Sequence, residues 1–161
     1  MTIPNQVWIL PRPRKDYYKG STPLHFEQKL NKFLGYPAMV LHPFGGKAEI
    51  GLRIDLNPEV KPDIIADAHN LPFKDNSFDL VFCDPPYNEK YAETLYGCKI
   101  KIKYKRYISE AVRVCKPNGF VASYHWAITP RPEGTSYFSR IFIGGRVWHR
   151  PRVCCIFKKE S

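Results

Sequence analysis

The feature that most constrains the fold is an apolar run over residues 78–83 that two prolines stop abruptly. The run has the length of a buried strand. Pro85 and Pro86 end it, because proline cannot donate a hydrogen bond to a sheet ladder. Asp84 and Tyr87 flank the prolines, so a carboxylate and an aromatic ring stand where ligands bind in open α/β sheets. The alternative is a surface turn, since Asp-Pro is a common turn pair.

The same four residues suit the recognition of an amine. A carboxylate and a backbone carbonyl can together accept both hydrogens of an exocyclic amine, and a ring beside them can stack on a base. The order Asp84-Pro85-Pro86-Tyr87 resembles the signature tetrapeptide of the amino-methyltransferases. These enzymes transfer a methyl group from S-adenosylmethionine to the exocyclic amine of adenine or cytosine in nucleic acid. The aspartate-first form is the one most associated with adenine.

The sequence before the tetrapeptide extends the resemblance. Residues 63–79 are similar to the third and fourth motifs of a class I, Rossmann-like methyltransferase, in the expected order. A weaker likeness runs from residue 17 to the C-terminus. The chain thus resembles a DNA adenine methyltransferase of the DPPY type, in a small variant. No stretch of it is long enough to form a separate target-recognition domain.

The resemblance implies an α/β fold with a reduced Rossmann-like methyltransferase sheet, mostly parallel, closed by an antiparallel pair of C-terminal strands. Apolar residues at helical spacing predict one helix that begins at Ser21 or Thr22, with Thr22 as a possible cap, and ends at Gly35, and another over residues 104–115. Apolar runs predict strands over residues 38–42, 51–56, 63–66, 78–83, 120–124, 146–149 and 152–157.

The connections between the first strands are unusually short. Only eight residues separate Gly46 from Asp55, whereas a crossover between parallel strands ordinarily takes ten or more and contains a helix. The link over residues 57–62 is also too short for a helix. The sequence therefore predicts that the first crossover helices are shortened or missing. One face of the sheet would be poorly covered, and a second copy or a partner subunit could cover it.

The length of 161 residues predicts one domain with one core. We predict a single methyltransferase domain over residues 1–161. Its predicted parts are an extended basic arm (1–20), an N-terminal helix (21–35), a cofactor and catalytic half (36–87), a basic target loop (88–106) and a part that closes the sheet (107–161). The arm would contact a phosphate backbone or be a frayed terminus.

The resemblance also implies where S-adenosyl-L-methionine binds. The glycine-rich loop after the first strand would face the methionine end, because glycine has no side chain to collide with it; the loop could also be an ordinary turn. Asp55 would accept hydrogen bonds from the ribose hydroxyls, and Asp67 from the adenine amine. The predicted cofactor-binding residues are Pro43, Phe44, Gly45, Gly46, Asp55, Leu56, Asn57, Asp67, Ala68, Thr22 and His25.

The catalytic roles implied by the resemblance fall on the tetrapeptide. Asp84 and the carbonyl of Pro85 would accept the two hydrogens of the amine, and Pro86 would set the loop geometry. Tyr87 would stack on the target base, which must leave a duplex to reach it. The nitrogen would attack the sulfonium methyl directly, so catalysis would consist mostly of positioning and electrostatics. No cysteine stands in the Pro-Cys setting that carbon-5 cytosine methylation requires.

The charge balance favours a polyanionic partner. The net charge is +10 and the pI is near 9.4, which is typical of nucleic-acid-binding proteins. Residues 99–106 alternate basic and apolar side chains, so an extended chain would place the lysines on one side. They would grip phosphates or guard a solvated edge strand. The predicted nucleic-acid contacts are Lys99, Lys101, Lys103, Arg106 and Arg150.

Other features narrow the function classes. The five cysteines include no Cys-x-x-Cys pair, so we predict neither a disulfide framework nor a metal site. We predict that the protein works in a reducing cytoplasm. No apolar run approaches the roughly 20 residues of a membrane span, and no secretory signal is evident. The predicted partner is nucleic acid, DNA before RNA, with a homo-oligomer or a specificity subunit to supply what the short chain lacks. The alternative is a non-catalytic subunit of a larger complex.

Overall fold

The computed structural model describes residues 2–12, 22–87, 89–96, 101–144 and 151–161. The strands in these segments are β1 (Gln6–Ile9), β2 (Val40–His42), β3 (Leu52–Asp55), β4 (Ile64–Ile65), β5 (Phe78–Cys83), β6 (Cys115–His125), β7 (Thr135–Gly144) and β8 (Arg152–Lys159). The helices are α1 (Phe26–Phe33), α2 (Glu89–Tyr96) and α3 (Tyr104–Val114), with a single 3₁₀ turn at Pro58–Val60. None of the helices in the described segments is long and apolar enough to cross a membrane.

The eight strands form one sheet in the order β1-β7-β8-β6-β5-β2-β3-β4. All neighbouring pairs are parallel except those of β8, which runs antiparallel to both β6 and β7. This confirms the predicted mostly parallel sheet with an antiparallel C-terminal pair. It also places the carboxyl ends of β2, β3, β4 and β5 along the same edge, where a ligand can meet all four.

The predicted loss of the first crossover helices is confirmed. Residues 43–51, between β2 and β3, contain no helix, and the link from β3 to β4 contains only the 3₁₀ turn. The 43–51 loop instead packs directly on β3, where the Gly45 amide donates to the carbonyl of Ile54 at 2.6 Å.

Two amphipathic helices of the described segments pack against opposite faces of the sheet. Helix α3 buries Tyr107, Ile108 and Ala111 against one face, in a cluster with β2, β3, β5 and β6. Helix α1 buries Phe26 and Leu30 against the other face, in a cluster that reaches β7 and β8. The helical spacing of these apolar residues is the signal that predicted both helices.

The start of α1 differs from the prediction. The helix begins at Phe26 rather than at residue 21 or 22, and its N-cap is His25, which has a left-handed φ of 65°. Thr22 is therefore not the cap. A turn precedes the helix, in which the Phe26 amide donates to the carbonyl of Pro23 at 3.1 Å, while the Leu24 amide donates to the carbonyl of Pro11 at 3.1 Å. These tertiary and turn hydrogen bonds override the local capping signal.

Part of the predicted basic arm belongs to the sheet. Residues 6–9 form β1, an edge strand paired in parallel with β7. Trp8 is 5% exposed and packs against Phe26 and Phe33, with ring centroids 5.9 and 5.7 Å away. One aromatic side chain buried in the core thus ties the segment down, a long-range contact that the proline-rich composition does not reveal.

Two further predictions need correction. The predicted target loop contains α2 and the start of α3, so the period-two alternation of basic residues ends at Lys103 and Arg106 lies on a helix. The strand that pairs with β8 is β7, which the sequence analysis missed because polar Thr135 and Ser139 occupy buried positions and interrupt the apolar pattern. The strand predicted over residues 146–149 lies outside the described segments.

Candidate active site

A cavity lies at the carboxyl ends of β2 to β5. We call it the first cavity. Nearly all the residues predicted to bind the cofactor line it, together with Asp84 and Pro86 from the tetrapeptide. The predicted residues that line it are Thr22, His25, Pro43, Phe44, Gly45, Gly46, Asp55, Leu56, Asp67 and Ala68.

Asp55 stands at the end of β3 with both carboxylate oxygens engaged. Its Oδ2 accepts from the Gly46 amide at 3.0 Å and its Oδ1 from the Asn57 amide at 2.9 Å. The carboxylate is thereby held in a fixed orientation on the cavity wall. Asn57, by contrast, does not line the cavity. It is 7% exposed, and its side-chain oxygen caps the 3₁₀ turn by accepting from the Glu59 amide at 3.0 Å.

The glycine at position 45 is required by the packing of the loop on β3, whereas the prediction attributed the glycines to the approach of the cofactor. A Cβ on Gly45 would lie 2.6 Å from the Cβ of Arg53 and 2.9 Å from its Cα. Gly45 is thus required for the approach of the loop to β3, which replaces the missing crossover helix. Gly46 has a positive φ of 44° and presents its amide to Asp55. Both glycines line the first cavity, and the close contact that requires a glycine at position 45 is with Arg53 of the protein itself.

Asp67 follows β4 and is fixed by a histidine that the sequence analysis did not single out. Its Oδ1 accepts from the backbone amide of His69 at 2.8 Å and lies 2.7 Å from Nδ1 of the same residue. Partial burial opposes the ionisation of Asp67, but the hydrogen bonds from His69 outweigh it and lower the pKa of the carboxyl. Asp67 is therefore a carboxylate, ready to accept a hydrogen bond from a ligand in the cavity.

Asp84 lies deep in the site, at the end of β5. Burial raises its pKa to about 8, and the charge of Glu27 adds to this effect while Arg152 opposes it. Glu27, from the first turn of α1, lines the same cavity and was not predicted as a site residue. Burial also raises the pKa of Glu27, although backbone amides of the 43–51 loop donate to it. Only the fold brings the start of α1 to this place.

A second cavity lies on the other side of the tetrapeptide. Pro85, Pro86 and Tyr87 form one wall of it, and aromatic residues from α3 and from the end of β6 form the others: Tyr104, Tyr107 and His125. Pro86 and Ile102 line both cavities. The tetrapeptide is thus the partition between two adjoining cavities.

Tyr87 is held in place from two sides. Arg152 donates from Nε to the Tyr87 hydroxyl at 2.6 Å and its guanidinium lies 4.8 Å from the ring centroid. The His125 ring meets Tyr87 edge to face, with centroids 5.5 Å apart. Trp126, next to His125, is 49% exposed at the rim of this region. Neither His125 nor Trp126 was predicted as a site residue, because the predicted strand ended at Tyr124, whereas β6 continues to His125.

The predicted nucleic-acid contacts are only partly described. Lys101 and Lys103 are exposed on either side of Ile102, so they flank the junction of the two cavities. Arg106 is exposed on α3 and donates from Nε to the His69 carbonyl at 3.2 Å. Lys99 and Arg150 lie outside the described residues.

Known proteins share this architecture. Residues 52–123 match the model of a methyltransferase domain family. No curated protein sequence matches the chain. Among solved structures, TrmN from Thermus thermophilus is 20% identical with a TM-score of 0.62, over 88% of this chain and 50% of that one. The chain therefore spans half the length of TrmN.

Two smaller solved structures are similar over most of their length. One is the 1,6-didemethyltoxoflavin-N1-methyltransferase of Burkholderia thailandensis with bound S-adenosylhomocysteine (11% identity, TM-score 0.57, 83% of this chain and 76% of that one). The other is a chain from the complex of the Haloferax volcanii Trm112 methyltransferase activator with a methyltransferase (12% identity, TM-score 0.54, 82% and 89%). The chain has the fold of the class I S-adenosylmethionine-dependent methyltransferases.

Proposed function

We propose that this methyltransferase domain methylates an exocyclic amine of a base in nucleic acid, with adenine in DNA as the favoured substrate. The observation that carries the proposal is the tetrapeptide between the two cavities. Asp84 and Pro86 line the first cavity, while Pro85, Pro86 and Tyr87 line the second. A cofactor in the first cavity and a base in the second would meet at Asp84.

The first cavity offers groups that suit S-adenosyl-L-methionine. Asp55 suits the ribose hydroxyls and Asp67 suits the adenine amine. Glu27 and Asp84, which line the same cavity, would attract the positively charged sulfonium. When bound, the cofactor supplies a methyl group on a cationic sulfur. That positive charge would also lower the pKa of Asp84 from its raised value, so that cofactor binding favours the carboxylate form.

The chain's own residues would then orient the amine. The Asp84 carboxylate accepts one hydrogen and the Pro85 carbonyl the other, which raises electron density on the nitrogen and aligns its lone pair with the methyl group. The methyl carbon would exchange its bond to sulfur for one to the nitrogen, the electron pair of the broken bond would stay on sulfur, and the Asp84 carboxylate would take up the proton that the amine loses. Tyr87, fixed by Arg152 and His125, would stack on the base.

The polymer would be held by charge. Lys101 and Lys103 flank the second cavity, and the net charge of the chain is +10. These features serve DNA and RNA alike, so the preference for DNA rests on the aspartate-first tetrapeptide. A homo-oligomer or a specificity subunit would add the contacts that select a target sequence. The structural likeness to the Haloferax complex is compatible with such a subunit.

A second candidate is a non-catalytic subunit that binds the cofactor or nucleic acid for a larger complex. The specific observation in its favour is the 43–51 loop, which contains no helix. The glycine-loop side of the first cavity therefore offers no helix N-terminus for the carboxylate of the methionine tail, and the helix that begins at this cavity is α1.

The test is the transfer of labelled methyl groups to duplex DNA, single-stranded DNA and structured RNA, followed by digestion to nucleosides. Asp84→Asn should reduce transfer by at least a hundredfold, because the amide cannot accept from the amine as a carboxylate does. Glu133→Gln, at an exposed turn, is the matched control and should act as wild type. Cofactor binding without transfer by the wild type to any polymer would reject the proposal in favour of the non-catalytic subunit.

Cofactor binding is tested separately by calorimetry. Asp55→Ala removes the carboxylate that is held toward the first cavity and should weaken the binding of S-adenosylmethionine at least tenfold. Wild-type affinity in this variant would show that Asp55 serves only to fix the Gly46 amide.

A further inference from the structure

His69 is buried between the two cavities and lines neither of them. It is 5% exposed, and both of its ring nitrogens have partners. On one side Nδ1 lies 2.7 Å from Oδ1 of Asp67, which lines the first cavity. On the other side Nε2 accepts from the backbone amide of Lys103 at 3.0 Å. The ring thus bridges two segments that are far apart in the sequence.

The two hydrogen bonds fix the tautomer of the ring. Because the Lys103 amide is a donor, Nε2 must carry a lone pair. The proton of the neutral imidazole is then on Nδ1, where it donates to the Asp67 carboxylate. Oδ1 of Asp67 accepts from both the ring and the backbone of His69, which leaves Oδ2 as the oxygen available to a ligand.

Lys103 marks the start of the helix that shapes the second cavity. It is the N-cap of α3, and its carbonyl accepts from the amides of Arg106 and Tyr107 at 3.0 and 3.1 Å. Tyr104 and Tyr107, in the first turn, line the second cavity. Ile102, the residue before Lys103, lines both cavities. A group that fixes the Lys103 amide therefore fixes the walls around the substrate.

We propose that His69 is a positioning residue that couples the two cavities, so that the cofactor and the substrate bind with positive cooperativity. A ligand hydrogen-bonded to Asp67 restrains its carboxylate, the carboxylate restrains the His69 ring, and the ring holds Lys103 and the start of α3. The substrate then meets a cavity whose walls are already ordered. By linkage, a bound substrate strengthens cofactor binding by the same factor.

The coupling rests on the proposed cofactor site, and it is tested by two variants that separate the functions of the ring. In His69→Asn the side-chain amide reaches the position of Nδ1, so it keeps the bond to Asp67 and loses the acceptor for Lys103. In His69→Gln the side chain reaches the position of Nε2, so it keeps the acceptor and loses the bond to Asp67. The readouts are the affinity for S-adenosylmethionine by calorimetry and hydrogen exchange of the Lys103 amide by NMR, each with and without cofactor.

In the wild type, S-adenosylmethionine should slow exchange of the Lys103 amide about tenfold. His69→Asn should bind the cofactor within about threefold of wild type, while its Lys103 amide exchanges about tenfold faster and no longer responds to the cofactor. His69→Gln should retain protection of Lys103 but bind the cofactor about fivefold more weakly. A cooperative urea unfolding transition in both variants would show that they are folded.

The outcomes separate the two proposals. Wild type that binds the cofactor without any change at Lys103 overturns the coupling and leaves the proposed function standing. Variants that change both readouts in parallel also overturn it, because they would show His69 to be a packing residue only. Absence of cofactor binding by the wild type overturns the proposed function, and the coupling with it.

Discussion

Asp84 illustrates how burial sets the protonation state of a single residue. Its pKa is raised from 3.8 to about 8, first by burial and then by Glu27. Above about pH 4 the unfolded chain loses this proton, whereas the folded chain keeps it until about pH 8. The folded state therefore binds more protons over this range, and stability falls as the pH rises through it.

We predict that Asp84→Asn removes this component of the pH dependence. In the absence of cofactor, the melting temperature of the variant relative to wild type should rise by several degrees between pH 5 and pH 8 and be constant above that. Differential scanning fluorimetry across this range measures it. A constant difference at all pH values would show that Asp84 has an ordinary pKa in the folded protein.

Gly45 gives a second prediction at the scale of one residue. A Cβ at this position would overlap Arg53, so Gly45→Ala should lower the free energy of unfolding by about 1–3 kcal/mol. Gly134→Ala is the comparison, since no atom lies within 4 Å of the added Cβ and any loss there would come only from the positive φ of 71°. Urea unfolding should show a larger loss for Gly45. An equal or smaller loss would mean that the loop can move away from β3.

At the scale of elements, β1 shows that part of the N-terminal segment predicted to be an extended arm is a strand of the sheet. Trp8→Ala should lower the free energy of unfolding by about 3–5 kcal/mol, because the indole is buried against α1. Val7→Ala, on the same strand but 72% exposed, should change it by less than about 0.5 kcal/mol. Equal, negligible effects of the two substitutions in urea unfolding would show that the segment is a free arm.

The same scale shows which elements a sequence can predict. Strand β5 runs from Phe78 to Cys83 as predicted, because a continuous apolar run ended by prolines has few alternatives. Helix α3 also lies within one residue of its predicted bounds, since its apolar face repeats at helical spacing. Helix α2 and strand β7 were not predicted, because their apolar and polar residues follow neither a clear helical nor a clear alternating pattern. Their secondary structure depends on the segments against which they pack.

At the scale of the whole molecule, the net charge predicts salt-sensitive binding to nucleic acid. If Lys101 and Lys103 each neutralise one phosphate, replacing either with Ala should weaken binding to any sequence. Each should also reduce the slope of log affinity against log salt by about 0.9 for duplex DNA. Fluorescence anisotropy at several salt concentrations measures both quantities.

Lys32→Ala is the matched control for these two lysines. Lys32 lies in the last turn of α1, and the chain runs from there to the start of β2, the end of the sheet opposite to the cavities. The variant should leave affinity and salt slope unchanged. A slope reduced equally by all three substitutions would mean that the polymer binds the chain by its net charge, without using the site.

The sequence predicts the missing first crossover helix and the strand-end positions of Asp55, Asp67 and Asp84 from short links, apolar runs and the residues that end each strand. The class of the sheet was implied by the resemblance to methyltransferase motifs and not by any such local pattern. Three arrangements are visible only in the folded protein: Glu27 lines the first cavity, Arg152 and His125 hold Tyr87, and His69 connects Asp67 to Lys103. Such contacts depend on how distant segments pack in space, and no local pattern of residues encodes them.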